Sequence, residues 1–408
     1  MNPLPMIVAT IRRHIWTYLL FVMVVAIATG IGVAITSQEA ALRKGSARAA
    51  DKFDLIIAAP GSQTDVVLEA IYLRPGTVPL LDPVMTAQAL NDTRAKIASP
   101  LGFGDSIKGS PILGTTPDFA TYLSGGWAQG RVFRTEKEAV IGSAVRLKLG
   151  ETFRPSHGMS HNAHDVDDDD HDEEQHTIDL QVVGQMNPTG TPWDNAVIVP
   201  IELVWRIHGL PTGHAADSQQ IGRPFDPARV PGVPAIVMHP ESINAAYGLR
   251  NVYRTSTSMA FFPAEVLIKL YDIMGDVRTI MNWLAIATQG LVVLSMLAGV
   301  VAILSLHRRQ FAVLRALGAP KAYIFLCVWG QVVFIAMLGA LLGLLLGSGI
   351  AILVSMVFTH STGISLPAVI GADEYWLVAG MILFGLIAAT LPAFLAYRYP
   401  VIESLRAG

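Results

Sequence analysis

The chain has 408 residues, of which 52% are hydrophobic and only 15% charged, and its formal net charge is −3. Such apolarity excludes an ordinary soluble enzyme and places the chain in the membrane class. The apolarity is uneven, concentrated in a few long runs around a segment of globular character.

Residues 1–15 carry Leu4, Ile7, Val8, Ile11 and Ile15 at helical spacing with Arg12 and Arg13 on the other side, which predicts a short cytoplasmic or interfacial helix. With roughly 20 uncharged residues needed per spanning helix, four spans are predicted, at 16–36, 281–306, 322–358 and 375–397. The first has no small-residue cleavage site outside its apolar run and reads as a retained anchor. At 1.5 Å per residue the third would reach roughly 55 Å, well beyond a hydrocarbon core of about 30 Å, so it must tilt, break or project. Gly339, Gly343 and Gly347 place small residues on one face of that span, as expected for close helix packing or dimerisation. Cys327, the single cysteine, falls in the same span, so the rest of the chain has no disulfide framework.

Residues 37–280 are predicted to form a large α+β domain. Strand-like runs stand at 53–58, 139–142, 178–184, 195–199 and 235–238. The stretch 209–234, rich in Gly, Pro, Asp and Ser, is predicted to be an exposed loop or linker. Within the domain, residues 157–176 hold His157, His161, His164, His171 and His176 beside Asp165, Asp167, Asp168, Asp169, Asp170, Asp172, Glu173 and Glu174. Block charge and low hydrophobicity predict disorder. The same mixture of imidazole nitrogen and carboxylate oxygen suits Zn²⁺, with the five histidines, Asp165, Asp167 and Asp172 as candidate ligands.

Basic residues at 12–13, in the 307–321 loop and in the 398–408 tail fall on one side if there are four spans. The positive-inside bias then puts both termini in the cytoplasm and the large domain, with the short 359–374 loop, outside. No G-x-x-x-x-G-K-[ST] phosphate loop occurs, so the chain is not expected to be an enzyme that hydrolyses ATP.

The 307–321 loop, with Arg308, Arg309, Val313, Leu314, Arg315, Ala316, Leu317 and Gly318, resembles the "RR-x-x-x-x-LRA-x-G" signature of ABC-transporter permeases of the MacB/FtsX/LolC type. The final Arg398-Tyr-Pro-Val-Ile-Glu-Ser-Leu-Arg406 resembles that family's ending. Strings at 54–62, 138–142, 182–190 and 195–200 resemble the MacB periplasmic domain. The resemblance implies a homodimeric, multi-pass permease in a bacterial inner membrane. Its expected partners are a separate ABC ATPase that binds ATP-Mg, membrane lipids, and a periplasmic binding or adaptor protein, with no nucleic acid. Arg308, Arg309, Leu314, Arg315 and Gly318 would couple the chain to the ATPase, the arginines by contact and Gly318 by ending the loop helix. ATP hydrolysis would then drive change in the outer domain, with a link to zinc handling. The alternatives are extrusion of a lipid, lipoprotein or amphipathic molecule without a metal role, and FtsX-like regulation of a periplasmic enzyme.

Overall fold

The computed structural model describes residues 2–157, 178–273, 313–362, 365–366 and 371–398, together with single helical residues scattered between 275 and 301. The chain divides into two compact units. One comprises Met1–Leu42, Ile273–Val357 and Leu366–Gly408, the other Arg43–Asp272 and Phe358–Ser365.

The second unit is built on an 11-stranded mixed sheet. Its strands are β1 (Leu55–Ala58), β2 (Ala95–Ile107), β3 (Ser110–Thr115), β4 (Trp127–Gly130), β5 (Glu138–Ile141), β6 (Thr152–Phe153), β7 (Ser156–His157), β8 (Leu180–Met186), β9 (Val197–Pro200), β10 (Ala235–Pro240) and β11 (Met259–Phe261). The order is β11-β1-β10-β2-β3-β9-β5-β8-β4, with β6 on β8 and β7 on β2. Most pairs are antiparallel, but β3 with β9 and β5 with β8 run parallel.

Both faces of the sheet are covered, which is why its strands read as unbroken apolar runs rather than alternating ones. Leu55, Ile57, Ile141, Val197, Val199, Ile236 and Met238 belong to one buried cluster. Their chain neighbours Ile56, Ala58, Val140, Ile198, Ala235 and Val237 belong to another.

Short helices with legible caps supply the cover. α3 (Gln63–Ala70) starts at Ser62, whose hydroxyl accepts the Asp65 N–H, and α4 (Pro83–Leu90) starts at Asp82, which accepts from Val84 and Met85. α5 (Pro117–Ser124) follows Thr116, with Pro117 in its first turn, and ends at the left-handed Gly125. α6 (Ile201–Ile207) and α7 (Ile243–Val252) complete the set, with a further helix over residues 263–273.

Six strands were not expected from the sequence: β2, β3, β4, β6, β7 and β11. β2 contains Pro100, Gly102 and Gly104, residues that break a strand pattern. It serves two neighbours in turn: its first half pairs with β10 through Leu101, and its second half pairs with β3. The register shifts between Gly102 and Asp105, where Gly104 takes a φ of 139° that suits glycine alone. The expected exposed loop at 209–234 is instead pinned by the buried Phe225, Val230 and Val233, which join the core.

In the other unit, α1 (Leu4–Arg13) is a helix of its own, separated at His14 from α2 (Ile15–Ala50). α2 continues well past Thr36, where the hydropathy window closes, so helix and apolar span are not the same length. α8 (Lys321–Thr362) runs unbroken for 42 residues, so of the three ways to fit its length a break is excluded, and its residues from Phe358 group with the sheet unit. α9 (Ala372–Ala388) and α10 (Thr390–Arg398) follow. Three helical stretches are long and apolar enough to cross a membrane: Ile15–Ala50, Lys321–Thr359 and Glu374–Leu395. The fourth expected span, 281–306, lies largely outside the described residues.

Candidate functional site

The segment leading into α8 closes with a defined geometry. Residues 313–316 form a helical turn, and Gly318 follows at φ 95°. The Gly318 N–H donates to the Arg315 carbonyl at 3.1 Å, and the Ala319 N–H donates to the Leu314 carbonyl at 3.0 Å. These two bonds constitute a Schellman cap, whose left-handed residue is normally glycine. Pro320 then prevents the turn from continuing, and α8 begins at Lys321.

Arg308 and Arg309 lie outside the described residues, whereas Leu314 and Arg315 are half-buried. The side chains most open to a partner are Leu317, 80% exposed, and Val313, 44% exposed. Four residues apart, they share one side of the turn. Sequence reasoning singled out Leu314. The spacing from Val313 to Leu317 was the available signal, but nothing in the pattern says which of two leucines three residues apart faces inward.

The glycine stripe packs within this unit. A Cβ placed on Gly339 would lie 2.7 Å from Val25 Cβ, and one on Gly343 would lie 2.6 Å from Thr29 Cβ and 2.8 Å from the Ala26 carbonyl oxygen. One on Gly347 would meet the Gly30 carbonyl oxygen at 2.5 Å. Backbone therefore meets backbone where α2 crosses α8, and Gly30 contributes from the opposite side. Polar bonds reinforce the helices: the Tyr18 hydroxyl donates to Gln331 Oε1 at 2.8 Å, Gln38 Nε2 to the Ala351 carbonyl at 2.6 Å, and Trp329 Nε1 to the Leu386 carbonyl at 3.3 Å. In a membrane such bonds add modestly to van der Waals packing. Cys327 is buried among these helices.

Of the candidate zinc ligands, only His157 is described, in the backbone pairing of β7 with Asp105 of β2. His161, His164, Asp165, Asp167, His171, Asp172 and His176 lie outside the described residues. Among the described residues no group of three or more His, Cys, Asp or Glu side chains is placed to hold a metal ion.

The sheet unit carries polar groups that periodicity did not reveal. The Asp92 carboxylate accepts from Arg94 Nε at 3.0 Å, Arg94 Nη2 at 2.6 Å and the Tyr253 hydroxyl at 2.9 Å. The Arg94 bonds hold its pKa down at about 2. The fully buried Glu202 accepts the Gly222 N–H at 2.7 Å and faces His214 Nε2 at 3.3 Å, while His214 stacks on Phe225. The Asp194 carboxylate takes the N–H groups of Thr189 and Gly190, making 188–194 a structural turn around the buried Trp193.

Residues 282–402 match the family described as FtsX-like permease C-terminal, a range that includes the 313–318 turn, α8 and α9. With three helices able to span a membrane, the chain is a multi-pass membrane protein carrying an FtsX-like permease C-terminal region. It is 34% identical over 98 residues to the "Uncharacterized ABC transporter permease YvrN" of Bacillus subtilis (strain 168), a match covering 24% of this chain and 23% of that protein. The match thus spans less than a quarter of the relative's length. The crystal structure of the periplasmic region of MacB from Actinobacillus actinomycetemcomitans is similar at 10% identity and a TM-score of 0.31, over 54% of this chain and 95% of that one.

Proposed function

We propose that this chain is the permease subunit of an ABC transporter of the FtsX/MacB type, powered by an ATPase on a separate chain. The observation that carries the reading is the family match over 282–402, which contains the turn capped by Gly318. In this reading the sheet unit lies outside the cytoplasmic membrane, both termini lie in the cytoplasm, and two permeases act together with two ATPases.

The turn at 313–318 is the docking element. Its exposed Val313 and Leu317 offer the apolar contact and Arg315 the charged one, with Arg308 and Arg309 nearby in sequence. The Schellman cap fixes where the turn ends, so a push on it is passed to α8 rather than absorbed by a flexible joint. The tight α2–α8 crossing makes those two helices move as one body. ATP hydrolysis in the partner would therefore emerge as a rearrangement of the helices and of the sheet unit that interrupts them.

The test is purification of the full chain from its native membrane. An ABC ATPase in about equimolar amount, with ATP hydrolysis in the purified complex, is the expected result. Purification free of any ATPase under conditions that keep the permease folded would overturn the reading. A role for residues 157–176 in zinc handling rests on their composition. It is tested by titrating zinc into the full chain with and without that segment, and unchanged binding after deletion would remove it.

A further inference from the structure

The sheet unit contains a cleft of about 700 Å³, within the range of small-molecule sites. Four segments bound it: the end of α3 with the loop after it, the second half of β2, the first half of β3, and Pro234 just before β10. Its walls are apolar, with Leu73, Phe103 and Leu113 among them, and its charged groups are Glu69, Asp105 and Arg74.

Glu69 is the unusual member. It stands on the penultimate residue of α3, in the apolar run Val66-Val-Leu-Glu-Ala-Ile71, yet its residue exposure is only 8%. Its carboxylate oxygen Oε2 is buried with no hydrogen-bond partner among the described residues. The loop closes over that oxygen: a Cβ on Gly76 would lie 2.9 Å from it. Leu73, at the turn from helix to loop, is held in the left-handed region at φ 53°, a conformation a leucine adopts only when its surroundings impose it. Burial pushes the Glu69 carboxyl pKa up. A buried acceptor left open is costly and is retained where something completes it.

We infer that this cleft binds a small amphipathic amine, whose ammonium pairs with the Glu69 carboxylate while its apolar body lies along Leu73, Phe103 and Leu113. The Glu69 carboxylate selects a cation, and Arg74, the arginine in the cleft lining, is exposed at the rim. An ammonium brings three donors to a group that can only accept. A neutral alcohol brings one and leaves the carboxylate uncompensated. An anionic amphiphile meets the Glu69 carboxylate. The inference does not depend on the partner ATPase or on transport, since it concerns binding to one unit of the chain.

The experiment uses the full chain in lipid nanodiscs, titrated with 4-phenylbutylamine by calorimetry and corrected with empty nanodiscs. 4-Phenylbutanol and 4-phenylbutyrate serve as isosteres. One saturable amine site per chain is expected, with both isosteres at least tenfold weaker. Glu69→Gln should weaken the amine at least tenfold and leave the alcohol unchanged. Arg74→Glu, an exposed substitution that leaves the core intact, should tighten the amine several-fold. The inference fails if no saturable amine binding exceeds the empty nanodiscs. It also fails if amine and alcohol bind alike, which would mean an apolar cleft only, or if neither substitution moves the amine affinity while the variants keep the wild-type melting temperature.

Discussion

The two units of this molecule reach close packing by opposite means. The sheet unit fills space: Phe53, Phe119 and Trp193 meet in one cluster with ring centroids 5.6 to 6.1 Å apart, and branched aliphatics cover both sheet faces. The helical unit removes side chains: Gly30, Gly339, Gly343 and Gly347 let α2 and α8 touch through their backbones, while large residues such as Leu345, Leu353 and Val357 stay exposed. The difference follows from the solvent. In water, burying aromatic area stabilises the fold. In lipid a leucine gains nothing by leaving one apolar surface for another, so contact area between backbones decides. Large residues are therefore critical in one unit, and small ones in the other.

The strongest way to break this comparison is to substitute one residue type in both units. Trp193→Ala should cost about 4 kcal/mol, as for large aromatic truncations in a packed core. Trp376→Ala, on the exposed surface of α9, should cost almost nothing. Thermal melts of the full chain in detergent measure both, and equal losses would erase the distinction. Next comes the reverse substitution. Gly343→Leu must displace the Thr29 side chain and the Ala26 carbonyl, at about 3 kcal/mol. Gly349→Leu and Gly380→Leu, where an added Cβ meets nothing within 4 Å, should melt like the wild type. A Gly343→Leu protein as stable as these controls would show that the α2–α8 contact is not what holds the unit.

A smaller effect separates the units by pH. Asp92 titrates in the folded sheet unit at about 2, below its ordinary value, so it stabilises the fold above the unfolded pKa, and this contribution is lost as pH falls from about 4 to about 2. Asp92→Asn should therefore destabilise the sheet unit by about 2 kcal/mol at pH 7, and by progressively less as the pH approaches 2. Melts followed by near-ultraviolet circular dichroism across this range check it, and a pH-independent loss would mean that Asp92 acts through shape alone.

How much could be read beforehand depended on whether a feature is local in the chain. The runs at Leu55–Ala58 and Ala235–Met238 announce buried strands, because every residue in them is apolar. β2 hides behind Pro100 and its glycines, whose tolerance comes from its change of neighbour at Gly102. The glycine stripe is visible as a spacing of four, whereas Val25, Ala26, Thr29 and Gly30 opposite it belong to a helix far away in sequence. The 313–318 turn was marked by Arg315, by the two arginines before it and by Gly318, but the outward direction of Leu317 was not. Glu69 was invisible: a single carboxylate near a helix end reads as solvated until the chain after it folds back over the oxygen.

The central claim, that the 313–318 turn receives the force of a partner ATPase, is tested most directly by the ATP hydrolysis rate of the purified complex carrying Leu317→Glu. Ile243→Glu, an equally drastic change at an exposed site on the sheet unit, is the control. The account expects hydrolysis coupled to the permease to fall at least tenfold with Leu317→Glu, with the control unchanged and both proteins folded. Wild-type hydrolysis and ATPase binding in the Leu317→Glu complex would contradict it.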